Sequence, residues 1–62
     1  MTDLPPKQER ALRAARAAAS VQSRKNSGTK VYISQFGTNY IVKETKDSGS
    51  IYCYKNGNEI SI

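Results

Sequence analysis

The N-terminal part of the sequence carries basic residues at helical spacing. Arg10, Arg13 and Arg16 recur every three residues, within a larger basic set of Lys7, Arg10, Arg13, Arg16, Arg24 and Lys25. Lysine and arginine side chains neutralise phosphates along a nucleic-acid backbone and release the counterions condensed there. The spacing therefore favours an anionic partner. Nucleic acid is the first interpretation, an acidic protein surface the second, and a solvated face that keeps the helix soluble the third.

A second candidate surface consists of aromatic residues in the C-terminal half. Alternation along the predicted strands assigns one sheet face to an aromatic set with a neighbouring lysine: Tyr32, Phe36, Lys43, Tyr52 and Tyr54. Aromatic rings on a sheet stack against unpaired bases in single-strand binders. Tyrosine is also common in ordinary strands and in protein interfaces. Base stacking, a protein-facing surface and a structural role therefore stay open as interpretations.

The side chains needed for catalysis or metal binding are scarce. The chain has no histidine and a single cysteine, Cys53, so a thiol nucleophile lacks an imidazole base and a zinc or haem site lacks ligands. Paired-acid chemistry needs two carboxylates in one cleft, whereas the acids of the second half are spread over strands and a turn, at Glu44, Asp47 and Glu59. We expect no enzyme, no metal and no cofactor. We expect Cys53 to be buried as a small apolar side chain.

Length, charge and hydropathy define the class of protein. The 62 residues include ten Lys and Arg against five Asp and Glu, which gives a net charge of +5. A chain of this size is close to the lower limit for folding alone, and one cysteine cannot form an internal disulfide. No apolar run approaches the length of about 20 residues that spans a bilayer, and the N-terminus lacks the pattern of a signal peptide. We expect a small basic protein of the cytoplasm, with no membrane partner and no small-molecule substrate.

Residues 1–28 are predicted to form a basic Ala/Arg-rich helix and a flexible linker. Pro6 suits the first helical position, and most of the residues that follow are strong helix formers. Ser20 and a later segment rich in serine, asparagine and glycine supply the expected stop and linker. A shallow apolar stripe runs along the helix through Leu12, Ala15 and Ala19. A helix of this length must lay such a stripe on another surface to be stable.

Residues 29–62 are predicted to form an antiparallel β-meander of three to four strands, so the expected fold class is α+β. Turn signals separate the strands at 37–39, 47–49 and 56–57. The Asn56-Gly57 dipeptide is the strongest of them, because it predicts a two-residue type I′ turn that pairs Tyr54 with Glu59.

The faces of this sheet follow from the length of its middle loop. A four-residue loop at 46–49 would pair Val42 with Cys53 and Ile41 with Tyr54, whereas a loop one residue shorter would exchange these pairings. The first register gives one aromatic face and one aliphatic face, the latter with Val31, Ile33, Val42, Ile51, Cys53, Ile60 and Ile62. One alanine-rich helix covers only one face, so we expect a partner, and a homodimer through a sheet face is one form of it.

Taken together, these features predict a small, non-enzymatic nucleic-acid-binding protein with an accessory or regulatory role. The helix and linker arginines would contact phosphates, and the sheet would contact bases or form a dimer. The alternative is a protein-binding modulator or inhibitor of a larger host complex, of the kind that phages and plasmids encode, or an accessory structural subunit. The sequence does not separate DNA from RNA as the target.

Overall fold

The computed structural model describes residues 4–62 and contains one helix followed by a four-stranded antiparallel sheet. The elements in chain order are α1 (Pro6–Lys25), β1 (Val31–Phe36), β2 (Asn39–Lys43), β3 (Ser50–Lys55) and β4 (Asn58–Ile60). The predicted α+β fold is therefore confirmed. Residues 1–3 of the predicted N-terminal segment lie outside the described residues.

Helix α1 begins at Pro6, as predicted, and continues to Lys25. Proline suits the first position because its missing N–H has no partner there in any helix. Glu9 in the first turn and Arg24 and Lys25 in the last turn complement the helix dipole. The helix passes through Ser20, where the sequence predicted a stop. The hydroxyl of Ser20 donates instead to the turn between β3 and β4 and does not compete for the helix backbone.

The strand order is β2-β1-β3-β4, which departs from a meander at one point. Strand β1 lies inside the sheet and pairs antiparallel with both β2 and β3, so β2 and β3 are not neighbours. Residues 44–49 connect these two strands by crossing β1. No residue of β2 therefore pairs with a residue of β3. The predicted pairings Val42–Cys53 and Ile41–Tyr54 were wrong.

The crossover changes which side chains share a face of the sheet. Val31 pairs with Tyr54 and Ile33 with Tyr52, so these tyrosines lie on the same face as the aliphatic residues of β1. The predicted division into an aliphatic and an aromatic face is therefore wrong. By register, the helix-side face carries Val31, Ile33, Tyr40, Val42, Tyr52 and Tyr54, and the outer sheet face carries Tyr32, Ser34, Phe36, Ile41, Lys43 and Cys53. The burial predicted for Cys53 is confirmed, at 1% exposure.

The helix packs its shallow stripe on the helix-side face of the sheet. Ala15 and Ala19 are buried in one cluster with Val31, Ile33 and Tyr54. Partly buried side chains surround this cluster, from Tyr40, Val42 and Tyr52. Alanine lets the helix approach the sheet closely, and the larger side chains of the sheet supply most of the buried apolar area.

The β3–β4 hairpin docks on the C-terminal half of α1. Asn56 and Gly57 both have positive φ, at 55° and 85°, as the predicted type I′ turn requires. Ser20 Oγ donates a hydrogen bond to the Gly57 carbonyl (2.9 Å), and the Gly57 N–H donates to Ser23 Oγ (2.8 Å). Ser27, in the predicted linker, donates to Asn56 Oδ1 (3.1 Å). Small residues on both sides therefore join the turn to the helix.

A partly buried polar cluster holds the crossing loop on the outer sheet face. Ser34 is fully buried, and its Oγ donates to Asp47 Oδ1 at 2.8 Å. Asp47 Oδ1 also accepts hydrogen bonds from the Gly49 N–H (3.0 Å) and the Ser50 hydroxyl (3.2 Å). Asp47 also forms an ion pair with Lys43. The Lys43 ammonium, together with these hydrogen bonds, lowers the pKa of the Asp47 carboxyl to about 2.

We predict that Asp47→Asn destabilises the fold and weakens its dependence on pH. The unfolded chain has a carboxyl pKa of about 4, so folding favours the ionised form. This stabilisation is complete above the unfolded pKa and is lost as the pH falls through the folded value of about 2. Urea denaturation followed by circular dichroism should show a lower midpoint for the variant at neutral pH. The midpoint should also decrease less between about pH 5 and pH 2 than in the wild type.

Glu44→Gln is the matched control, because Glu44 lies in the same loop, is exposed and forms no ion pair within residues 4–62. A glutamine oxygen can still accept the hydrogen bond that Gln22 donates to Glu44. This variant should keep the wild-type midpoint at neutral pH. Parallel curves of midpoint against pH for the wild type and Asp47→Asn would contradict the role assigned to the carboxylate.

Candidate nucleic-acid interface

Helix α1 turns most of its basic residues away from the sheet. Its inner side is centred on Ala15 and Ala19, and at about 100° per residue the opposite side is centred near Arg10 and Val21. The residues of that side are exposed and form the outer helix face, which consists of Lys7, Arg10, Arg13, Ala14, Ala17, Val21, Arg24 and Lys25. The whole helix contains six Lys and Arg residues and one acidic residue, Glu9, and so has a net charge of +5.

The cations of the outer helix face form two rows with Arg10 between them. Lys7 and Lys25 lie on one flank, about 27 Å apart along the axis at about 1.5 Å per residue. Arg13 and Arg24 lie on the other flank, about 17 Å apart by the same rise. The two rows are separated by roughly 100–120° around the axis. Positive charge therefore extends along almost the whole length of the helix.

Acidic groups compete little for these cations. Arg13 Nη2 lies 3.1 Å from Glu9 Oε1, but the two side chains are 77% and 57% exposed, so water screens this pair. Within residues 4–62, no ion pair involves the other four cations of the face, which are Lys7, Arg10, Arg24 and Lys25. All four can therefore contact a ligand without first breaking an ion pair, although the side chain of Arg24 lies against Gly57 of the β3–β4 turn.

Arg16, which the sequence placed among the ligand-binding arginines, is held by the sheet. Its Nε–H donates to Tyr54 Oη (2.9 Å) and its Nη2 donates to Glu59 Oε1 (2.6 Å). Its guanidinium carbon lies 4.8 Å from the centroid of the Tyr52 ring. The hydrogen bond to Tyr54, with contributions from Glu59 and Tyr52, raises the pKa of the guanidinium. Tyr54 and Glu59 are the cross-strand pair predicted from the turn, and Arg16 joins that pair to the helix.

The structure does not bring the predicted aromatic set together. Tyr52 and Tyr54 lie on the helix-side face, whereas Tyr32 and Phe36 lie on the outer sheet face. Lys43, the basic member of the set, is paired with the carboxylate of the crossing loop, and its Nζ lies 5.6 Å from the centroid of the Phe36 ring. Two rings and a paired lysine form a weaker platform for stacked bases than the four rings expected.

Sequence reasoning overlooked the small and apolar residues of the outer helix face. Val21 is 49% exposed, and the exposed side chains of Ala14 and Ala17 lie beside it. The helical period could have predicted this surface, since residues on the side opposite the stripe of Leu12 and Ala15 must face outwards. Because these side chains are short, the surface between the two rows of cations lies close to the helix backbone.

Comparisons with known proteins do not assign a function to the outer helix face. Protein-family models, curated proteins and solved structures give no match to the chain. Within residues 4–62, the helix is too polar to cross a membrane. In the same part of the chain, no three His, Cys, Asp or Glu side chains are grouped so that they could hold a metal ion. The outer helix face, with its exposed charge, is the strongest candidate site.

We predict that Arg16→Gln lowers the free energy of unfolding by about 1 kcal/mol, the net value of a side-chain hydrogen bond and a screened ion pair. Arg13→Gln is the matched control, because it removes an arginine–glutamate pair that lies within the helix and is exposed. For this control we expect a decrease of only a few tenths of a kcal/mol. Urea denaturation of both variants measures the difference. Equal decreases would show that the contacts of Arg16 stabilise the fold no more than a surface ion pair does.

Proposed function

We propose that this protein is a small, non-enzymatic nucleic-acid-binding protein with an accessory or regulatory role in the cytoplasm. The observation that carries the proposal is the exposure of five cations on one face of a single helix, with one exposed ion pair among them. Phosphates repeat along a nucleic-acid strand, so a row of cations can contact several of them at once. The sheet supports this role by packing on the inner side of the helix, which keeps the outer helix face in solvent.

Binding through such a face has a predictable dependence on salt. Each phosphate that the protein neutralises releases condensed counterions, so affinity falls as salt rises. If all five cations of the outer helix face contact phosphates of a duplex, log Kobs should fall against log salt with a slope of about −4 to −5. The positive field of the helix also accelerates association with a polyanion at low salt.

A protein partner is the alternative function for the same face. An acidic protein surface would meet the same cations, and the exposed Val21 side chain would add an apolar contact. The protein would then act as a modulator or inhibitor of a larger complex, or as an accessory structural subunit. Salt separates the two functions, since an apolar contact persists at salt concentrations that weaken phosphate contacts. The homodimer through a sheet face stays a prediction and is compatible with either function.

We predict that replacing Arg10, Arg13 and Arg24 by glutamine removes most of the nucleic-acid binding. The triple variant lowers the net charge of +5 by three, and glutamine has nearly the helix propensity of arginine, so the fold should persist. Fluorescence anisotropy with duplex and single-stranded oligonucleotides, at several salt concentrations, measures the affinity. The salt slope should decrease by about one for each phosphate that the variant no longer neutralises.

The matched control replaces Lys30, Lys46 and Lys55 by glutamine, which makes the same change in net charge outside the helix. This variant should retain most of the wild-type affinity, because direct phosphate contacts contribute more than distant charges that salt screens. An equal decrease in affinity in both triple variants would contradict the assignment to the outer helix face. A wild-type protein that binds no oligonucleotide at low salt would overturn the proposed function.

A further inference from the structure

We propose that helix α1 is a recognition helix that enters the major groove of B-form DNA with Arg10 directed at the base edges. This inference rests on the proposed function, because it specifies the nucleic acid and the role of each cation. The helix has 20 residues and is about 30 Å long, and its outer face is exposed along its length. The major groove of B-form DNA is about 12 Å wide and can accommodate an α-helix that is exposed along one side.

The two rows of cations match the two strands that border a major groove. Lys7 and Lys25 flank one side of the outer helix face, and Arg13 and Arg24 flank the other. On a helix about 10–12 Å across with its side chains, rows roughly 100–120° apart lie on the two flanks of the outer helix face. A helix of this diameter fits a groove about 12 Å wide, so each flank faces one of the two bordering strands. Each row can therefore contact the phosphates of one strand and fix the position of the helix.

Arg10 lies on the midline of the outer helix face, between the two rows. A midline side chain faces the base edges when a helix lies in the groove, and arginine donates two hydrogen bonds to guanine O6 and N7. The residues beside Arg10 on the midline, Ala17 and Val21, are small or apolar and let the backbone approach the bases. Within residues 4–62 no ion pair holds Arg10 away from the groove. We infer that Arg10 is the specificity-determining residue.

Duplex RNA and single strands fit this surface less well than duplex DNA does. The major groove of A-form RNA is too deep and narrow for side chains of a helix to read. Single-strand binders stack bases on aromatic rings, whereas the outer helix face contains no aromatic residue and Tyr52 and Tyr54 pack on the other side of the helix. The charge and shape of the outer helix face therefore favour B-form DNA.

The test starts from a pool of randomised duplex DNA, from which the full chain selects bound molecules. Duplex RNA and single-stranded DNA are measured in parallel. We expect affinity for the selected duplex DNA to exceed affinity for duplex RNA at least about tenfold, and we expect the selected molecules to share a short motif that contains guanine. Equal affinity for all three nucleic acids, or selection without a shared motif, would overturn the recognition helix while the proposed function stands. Binding to none of them would overturn both.

Two single variants with the same charge change separate base contacts from phosphate contacts. Arg10→Ala should reduce discrimination at the guanine position of the motif by about tenfold or more. Lys25→Ala should weaken binding to all duplexes alike, lower the salt slope by about one and keep the preference for the motif. Circular dichroism checks that both variants keep the helix. An unchanged motif preference in Arg10→Ala, or a changed one in Lys25→Ala, would overturn the role assigned to Arg10.

Discussion

The short side chains on the inner side of helix α1 are the constraint on which the rest of the structure depends. Alanine and serine fill little space there, so the helix lies close to the sheet and larger side chains of the sheet must fill the interface. These side chains come from Val31, Ile33 and Tyr54. The hydroxyls of Ser20 and Ser23 bond across the same interface to Gly57. Such a tight interface has no room for a long charged side chain, and most of the cations of the helix are therefore on its outer side.

Local signals in the sequence predicted the helix start and the last hairpin, because each depends on a few adjacent residues. The strand order depends instead on which strands take the two sides of β1, and no local pattern encodes that choice. β3 pairs with β1 through a register shift at which Ile51 is the extra residue. The loop that makes the crossing possible is held by Asp47 and the buried Ser34, which read in the sequence as ordinary polar residues. The error in strand order then moved Tyr52 and Tyr54 to the wrong face.

The candidate site was predictable as a basic helix but not residue by residue. A spacing of three residues advances about 300° around the axis, so a run of arginines at that spacing drifts by about 60° at each step. Arg10 lies on the midline of the outer helix face and Arg13 on its flank. Arg16 has drifted to the sheet, where Tyr54 and Glu59 hold it. The packing of the inner side of the helix decides which arginine faces directly outwards. The spacing of the arginines alone does not give this information.

Helix α1 contributes both to the core and to the candidate binding surface, so binding of the proposed ligand would be coupled to stability. Lys7, Arg10 and Arg13 follow one another at three-residue intervals, and like charges at that spacing repel by a few tenths of a kcal/mol per pair. A polyanion that neutralises them removes this repulsion. Because the folded helix holds the cations in rows and the unfolded chain does not, the proposed ligand would bind the folded state more tightly and stabilise it. In a chain of 62 residues with a small core, the free energy of binding would add to a stability that is marginal. The charge arrangement therefore favours a protein whose folded state is most stable when its ligand is bound.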